Sequence, residues 1–153
     1  MKIGAKVDYG IQALVEIAVQ SEKSKLISAE KISSRHDIPP KFLEGILATL
    51  TKAGIISSHR GPDGGYEMSV DPREVSIADV FRILDGPLAA VKGEAPENAK
   101  YQGVNKNLTD VWIATRVGLR DILENISIQE VISGKFSPEI KKVLAEKGAW
   151  ARR

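Results

Sequence analysis

Three stretches of this sequence carry side chains suited to gripping a polyanion. The first is Arg60-Gly61-Pro62-Asp63-Gly64-Gly65-Tyr66. Its glycines let the backbone approach a phosphodiester closely, and an arginine beside them suits the negative potential of a narrow minor groove. Asp63 repels phosphates, which points it toward a role in the turn itself. The second is Pro39-Pro40-Lys41-Phe42-Leu43-Glu44. Lys41 suits a guanine edge or a phosphate, Glu44 can accept from a cytosine amino group, and the free amides of a helix start can hold a phosphate. The third is the basic tip formed by Lys2 and Lys6, with Tyr9 offering a ring for packing and a hydroxyl for a phosphate. Each has a plainer alternative: a solvated helix end, a surface hairpin or a merely basic terminus. A nucleotide-phosphate cradle at 60–65 is disfavoured, because such loops run from a strand into a helix. Here the next residues, Tyr66-Glu67-Met68-Ser69-Val70, alternate like a strand.

Other chemistry lacks its residues. The 153 residues include no cysteine and only two histidines, His36 and His59. That removes disulfides, thiolate catalysis, cysteine-held iron–sulfur clusters and all-thiolate zinc. Neither histidine sits in a recognisable base motif, and the carboxylates are scattered at helical surface spacing. No enzyme activity and no cofactor are expected. No apolar run approaches the roughly 20 residues of a membrane span, and the polar start does not resemble a secretory signal. A cytoplasmic protein with no membrane association is expected.

Net charge is +2, unevenly spread. Residues 1–60 hold nine Lys/Arg against six Asp/Glu, residues 61–134 seven against twelve, and residues 135–153 six against two. An excess of cations in the N-terminal part fits a polyanionic partner there.

The elements that must position these residues follow from periodicity. Apolar residues recur at three and four over 9–19, giving a first helix. Ser28 is placed to cap a short second helix over 29–35, and it is counted with the DNA-contacting residues. Asp37-Ile38-Pro39-Pro40 forms a tight turn into a third helix, 40–53, with Phe42, Leu43, Ile46, Leu47 and Leu50 as its stripe and Gly54 as its stop. Three short helices with such a turn form the skeleton of a helix-turn-helix. Two β-type runs on either side of residues 60–65 then predict a hairpin, positioned as a wing. Ser76 caps a helix over 77–84, and Gly86-Pro87 ends it.

Residues 89–106 lack periodicity and are expected to form a loop. A long helix follows from Asn107, with Leu108, Val111, Trp112, Thr115, Leu119, Ile122, Leu123 and Ile126 recurring at three and four. A second copy of the chain is the expected cover for that stripe. Ser127-Ile128-Gln129-Glu130 fits a capping box for a short helix to Ser133, and Ser137-Pro138 opens another over 139–147. The tail Trp150-Ala151-Arg152-Arg153 has no assigned role. The expected fold is thus mostly α with a small β-wing: a winged helix-turn-helix domain (1–87), a loop (88–106), a dimerisation helix with the short helix after it (107–133) and a helical tail (134–153).

Taken together, the blocks resemble the Rrf2 (IscR/NsrR/CymR-type) family of bacterial winged-helix transcriptional regulators. The matching residues are Met1-Lys2-Ile3 with Lys6 and Tyr9, Phe42-Leu43-Glu44, Arg60 to Tyr66, Ile77-Ala78-Asp79-Val80, Asp85-Gly86-Pro87-Leu88, Trp112 and Ser127 to Glu130, in order over roughly residues 1–133. The resemblance implies a homodimer on double-stranded DNA, acting as a repressor at a palindromic operator. It puts Glu44 among the base-reading residues and sends Arg60 into the minor groove, so Lys2, Lys6, Tyr9, Ser28, Pro39, Pro40, Lys41, Phe42, Glu44, Arg60, Gly61 and Pro62 form the implied DNA contact. Pro39, Pro40 and Gly45 depart from the residue types common at those positions. Many members carry three cysteines within 88–107 that ligate a cluster. This chain resembles the cysteine-free branch, in which an effector protein or small ligand is the alternative signal. A protein-interaction module on the same scaffold is the competing reading.

Overall fold

The computed structural model describes residues 2–151. Met1 of the N-terminal block and Arg152 and Arg153 of the tail lie outside the described residues. Helix α1 spans Ala5–Glu22. It begins four residues before Tyr9 because Val7 completes the buried stripe of Gly10, Ala13, Leu14, Ile17 and Ala18. Its N-cap is Gly4, which has no side chain to announce the start.

Helix α2, Ala29–His36, is capped by Ser28, whose hydroxyl oxygen accepts from the Lys31 amide at 3.3 Å. It stops at Asp37, which takes the left-handed conformation (φ 51°) that asparagine and aspartate tolerate better than most residues. Ile38 is buried beneath the turn, and α3 runs over Pro40–Lys52 with proline in its first turn. Leu43, Ile46, Leu47 and Leu50 bury its inner face.

Strands β1, Ile56–His59, and β2, Gly65–Met68, form an antiparallel hairpin in which Ile56 faces Met68 and His59 faces Gly65. Helix α4, Ile77–Leu84, opens with a capping box. The Ser76 hydroxyl accepts from the Asp79 amide, and the Asp79 carboxylate accepts from the Ser76 amide. Residues 89–106, expected as plain loop, contain two short 3-10 turns, Pro96–Asn98 and Gly103–Asn105.

Helix α5, Leu108–Leu123, has no buried residue. It ends three residues short of Ile126 because the chain there turns back onto the winged part. The Ile77 amide donates to the Ile126 carbonyl at 2.8 Å, and the Ile128 amide donates to the Val75 carbonyl at 2.9 Å. Helix α6, Ile128–Ser133, carries a second capping box, Ser127 with Glu130, and buries Ile128 completely. That side chain joins the apolar core built by α1 to α4 and β1, so α6 packs with the winged unit although sequence grouped it with α5.

Helix α7 covers Pro138–Leu144, shorter than the expected 139–147. The Trp150 indole folds back and donates to the Leu144 carbonyl at 2.9 Å, satisfying an acceptor at the helix end. Among the described residues no helix is long and apolar enough to cross a membrane.

Candidate nucleic-acid interface

The start of α3 faces outward. Pro39, Pro40, Lys41, Phe42 and Glu44 are all exposed, while Leu43 between them is fully buried. Leu43, with Ile46, Leu47 and Leu50 further along the same face, therefore fixes the azimuth of the exposed residues around the helix axis. Phe42 is held from a second side, because its ring meets that of Tyr9 edge-on, with centroids 5.8 Å apart. This contact joins the beginning of α1 to the beginning of α3. The sequence had assigned both residues to one surface without giving a reason for them to touch.

Helix α2 is tied to α1 by a carboxylate. Glu16 accepts from the Arg35 guanidinium and lies 3.1 Å from His36 Nε2. Burial raises the Glu16 carboxyl, but hydrogen bonds from His36, Arg35 and Gln20 outweigh it and hold it below its ordinary value. One carboxylate thus joins the middle of α1 to the end of α2. Sequence reading missed it, since nothing in an apolar helical run says which residue nineteen positions later will meet its lone acid.

The wing is anchored at its base and open at its tip. The Met68 amide donates to the Ser21 hydroxyl at 3.0 Å, joining β2 to α1. Ile27 exchanges two backbone hydrogen bonds with Tyr66, at 2.8 and 3.2 Å, joining β2 to the start of α2. Gly65 is needed there, since a Cβ at that position would sit 2.7 Å from the Ile27 backbone. Gly64 likewise leaves room for the His59 carbonyl, which a Cβ would meet at 2.3 Å. These two glycines therefore serve the hairpin. The tip beyond them, Arg60, Gly61, Pro62 and Asp63, is exposed. His59 Nε2 lies 2.7 Å from Glu67 Oε1 at the wing's edge.

Lys6 is half-buried near the start of α1, and Ser28 is committed to its cap. Lys2 borders a groove of about 540 Å³ between α4 and α5, lined also by Phe81, Leu88, Trp112 and Leu119. It is thus placed beside that groove, just before the start of α1. Tyr9 and Phe42 are the predicted site residues that touch; Arg60, Gly61 and Pro62 form a separate projection.

The long stripe on α5 divides into two faces. Trp112, Thr115 and Leu119 line the groove beside α4, and Leu123 and Ile126 pack against the core. The Trp112 indole donates to the Tyr101 hydroxyl at 3.1 Å, and Leu108 is half-buried. Val111, Thr115 and Ile122 are exposed, as are Ala114, Val117 and Gly118 beside them.

A helix-turn-helix whose last helix presents its first turn to solvent, followed by a hairpin with an open arginine tip, defines a winged helix-turn-helix DNA-binding protein. Residues 3–134 match the family model described as "Rrf2: Iron-dependent Transcriptional regulator". The chain belongs to the Rrf2 family of transcriptional regulators. It is 34% identical to the HTH-type transcriptional regulator IscR of Vibrio vulnificus, over 92% of this chain and 82% of that protein. It is 28% identical to the HTH-type transcriptional regulator CymR of Bacillus subtilis, over 87% of this chain and 91% of that one. The solved structure of CymR, titled the global cysteine regulator of that organism, superposes with a TM-score of 0.72 at 25% identity, covering 88% of this chain and 98% of that chain.

Iron in the family's description does not fit the residues of this chain. The sequence has no cysteine, and among the described residues no three His, Asp or Glu side chains converge to hold a metal ion. In the 88–107 segment, Glu97 is instead paired with Arg116 at 2.5 Å.

Proposed function

We propose that this regulator binds a two-fold symmetric operator as a homodimer and represses by occluding the promoter. The observation that carries the reading is the outward-facing first turn of α3, fixed by buried Leu43 and by the Tyr9–Phe42 contact. Lys41 and Glu44 meet base edges in the major groove, Pro39 and Pro40 set the entry of the helix, and the Lys41 amide takes a phosphate, since the prolines have no N–H and the Phe42 and Leu43 amides donate to the Pro39 carbonyl. Lys2, Lys6, Tyr9 and Ser28 contribute to the backbone contact. Arg60, with Gly61 and Pro62 shaping the tip, enters the adjacent minor groove.

The exposed face of α5 supports the dimer. Val111 is 51% exposed, Val117 49% and Ile122 38%, and a second copy of the same helix covers them, with Gly118 and Ala114 allowing close approach. In this division residues 1–87 read DNA, 88–106 form the connecting loop, 107–133 carry the dimer contact and return to the core, and 134–153 form the tail. No catalytic role is assigned to any residue, and the protein works in the cytoplasm. The signal is a small ligand or a partner protein rather than an iron–sulfur cluster.

Fluorescence anisotropy on a labelled duplex across salt concentrations tests the reading. Affinity falls steeply with salt, and Lys41→Ala reduces the log–log slope by about one. A protein-interaction module with no DNA role shows neither a bound duplex nor a slope.

A further inference from the structure

A second cavity lies on the far side of the Gly86-Pro87-Leu88 turn from the Lys2 groove. Its volume is about 310 Å³, and the side chains that line it with this turn are Arg82, Arg116 and Arg120. Among the described residues no carboxylate lines it. The three guanidiniums converge from two elements: Arg82 from the last turn of α4, and Arg116 and Arg120 one turn apart on α5.

Their nearby acids leave donors unused. Arg116 Nη1 donates to Glu97 at 2.5 Å, but its Nε is buried without an acceptor. Arg82 donates to Glu124 and, at 3.2 Å, to Asp79, whose carboxylate already caps α4. Arg120 reaches the same Glu124 only at 3.9 Å, beyond hydrogen-bond distance. The charges of Glu97, Glu124 and Asp79 match those of the three arginines, so what the cavity offers an anion is their unused N–H donors rather than an excess of positive charge. Guanidiniums present paired donors that match the oxygens of phosphate and carboxylate.

We infer that the Arg82–Arg116–Arg120 cavity is a binding site for a small anion carrying two or more negatively charged oxygens, either a phosphate ester or a short dicarboxylate. Its position gives the occupant a mechanical consequence, since it would tie α4, a core helix of the winged unit, to α5. The arginines lie on a different side of α5 from Val111, Gly118 and Ile122, so occupancy and pairing of that exposed face are compatible. The site stands independently of the operator reading, because its test needs no DNA.

The test is thermal denaturation of the full chain with inorganic phosphate or with succinate, at constant ionic strength made up with sodium chloride. One or both anions raise Tm along a saturating curve, by roughly 5–10 °C at a hundredfold excess over Kd. A response to phosphate alone assigns a phosphate ester, to succinate alone a dicarboxylate, and to both the shared chemistry. Arg82→Gln and Arg120→Gln each weaken the fitted Kd by about tenfold or more. Both side chains are partly exposed, 37% and 46%, and lie outside the apolar core, so neither change opens it. Lys41→Gln and Arg60→Gln leave the fitted Kd unchanged, which separates the cavity from phosphate binding on the DNA-reading face. The inference is overturned if neither anion exceeds chloride, if the arginine variants respond like the parent, or if Lys41→Gln or Arg60→Gln abolishes the response.

Discussion

In the proposed contact, single side chains divide the labour of recognition. Glu44 would repel phosphates on any duplex and gain only where a cytosine amino group meets it. Glu44→Ala is therefore expected to relax base preference while nonspecific affinity stays equal or rises, as read by competition between matched and mismatched duplexes. Arg60 behaves in the opposite sense. Arg60→Ala is expected to weaken binding on every duplex sharing a narrow minor groove, most on A-tract flanks, and an unchanged affinity would contradict an inserted wing.

Glu16 acts on stability. Its carboxyl, like that of Asp79, ionises more readily in the folded chain than in the unfolded one. Their stabilising effect is therefore complete above the ordinary carboxylate range and is lost as pH falls through the folded values. Tm should hold steady from pH 7 to about 5 and drop below about 4. Glu16→Gln should cost about 1.5 kcal/mol at pH 7 and reduce the acid sensitivity, both measurable by denaturant titration at the two pH values. The candidate contact residues were legible because their types advertise themselves. The Glu16 anchor was not, because its partners Arg35 and His36 come from another helix and no spacing rule links them.

At the scale of elements, the punctuation residues did most of the predicting. Ser28, Ser76, Ser127 and Ser137 all cap the helices they were expected to start, since a cap is a local interaction written in adjacent residues. The ends of α5 and α7 moved. The return of Ile126 onto Ile77 accompanies the end of α5, whereas α7 ends beside a local contact, the Trp150 indole on the Leu144 carbonyl six residues back. The glycines of the wing were legible as a turn, but the approach of the Ile27 backbone that demands Gly65 was not. Gly65→Ala should destabilise the hairpin by about 2 kcal/mol or more. Gly45, exposed in the middle of α3 with no neighbour within 4 Å of an added Cβ, should behave oppositely. Gly45→Ala is expected to stabilise by about 0.5–1 kcal/mol. The two changes together, followed by chemical denaturation, separate a glycine required by packing from one that merely weakens a helix.

At the scale of the whole molecule, the question is what covers α5. The sequence treated its apolar stripe as one surface. In the fold, Trp112, Thr115 and Leu119 line the groove beside the chain's own α4 and Leu123 packs on the core, which leaves Val111 and Ile122 facing outward. Periodicity alone does not make that division, because it depends on where α4 lies. Replacing Val111 or Ile122 with Glu should leave the far-UV circular dichroism intact, shift the mass in light scattering toward a monomer and lower operator affinity by at least about tenfold, since a half-site is then gripped alone.

The most direct test of the central claim is selection of bound duplexes from a random pool at near-physiological salt, followed by sequencing. Enrichment of a two-fold symmetric motif, its half-sites about one helical turn apart, is the predicted result. A pool that stays random under conditions where the folded dimer is present would contradict the account of this chain as an operator-reading regulator.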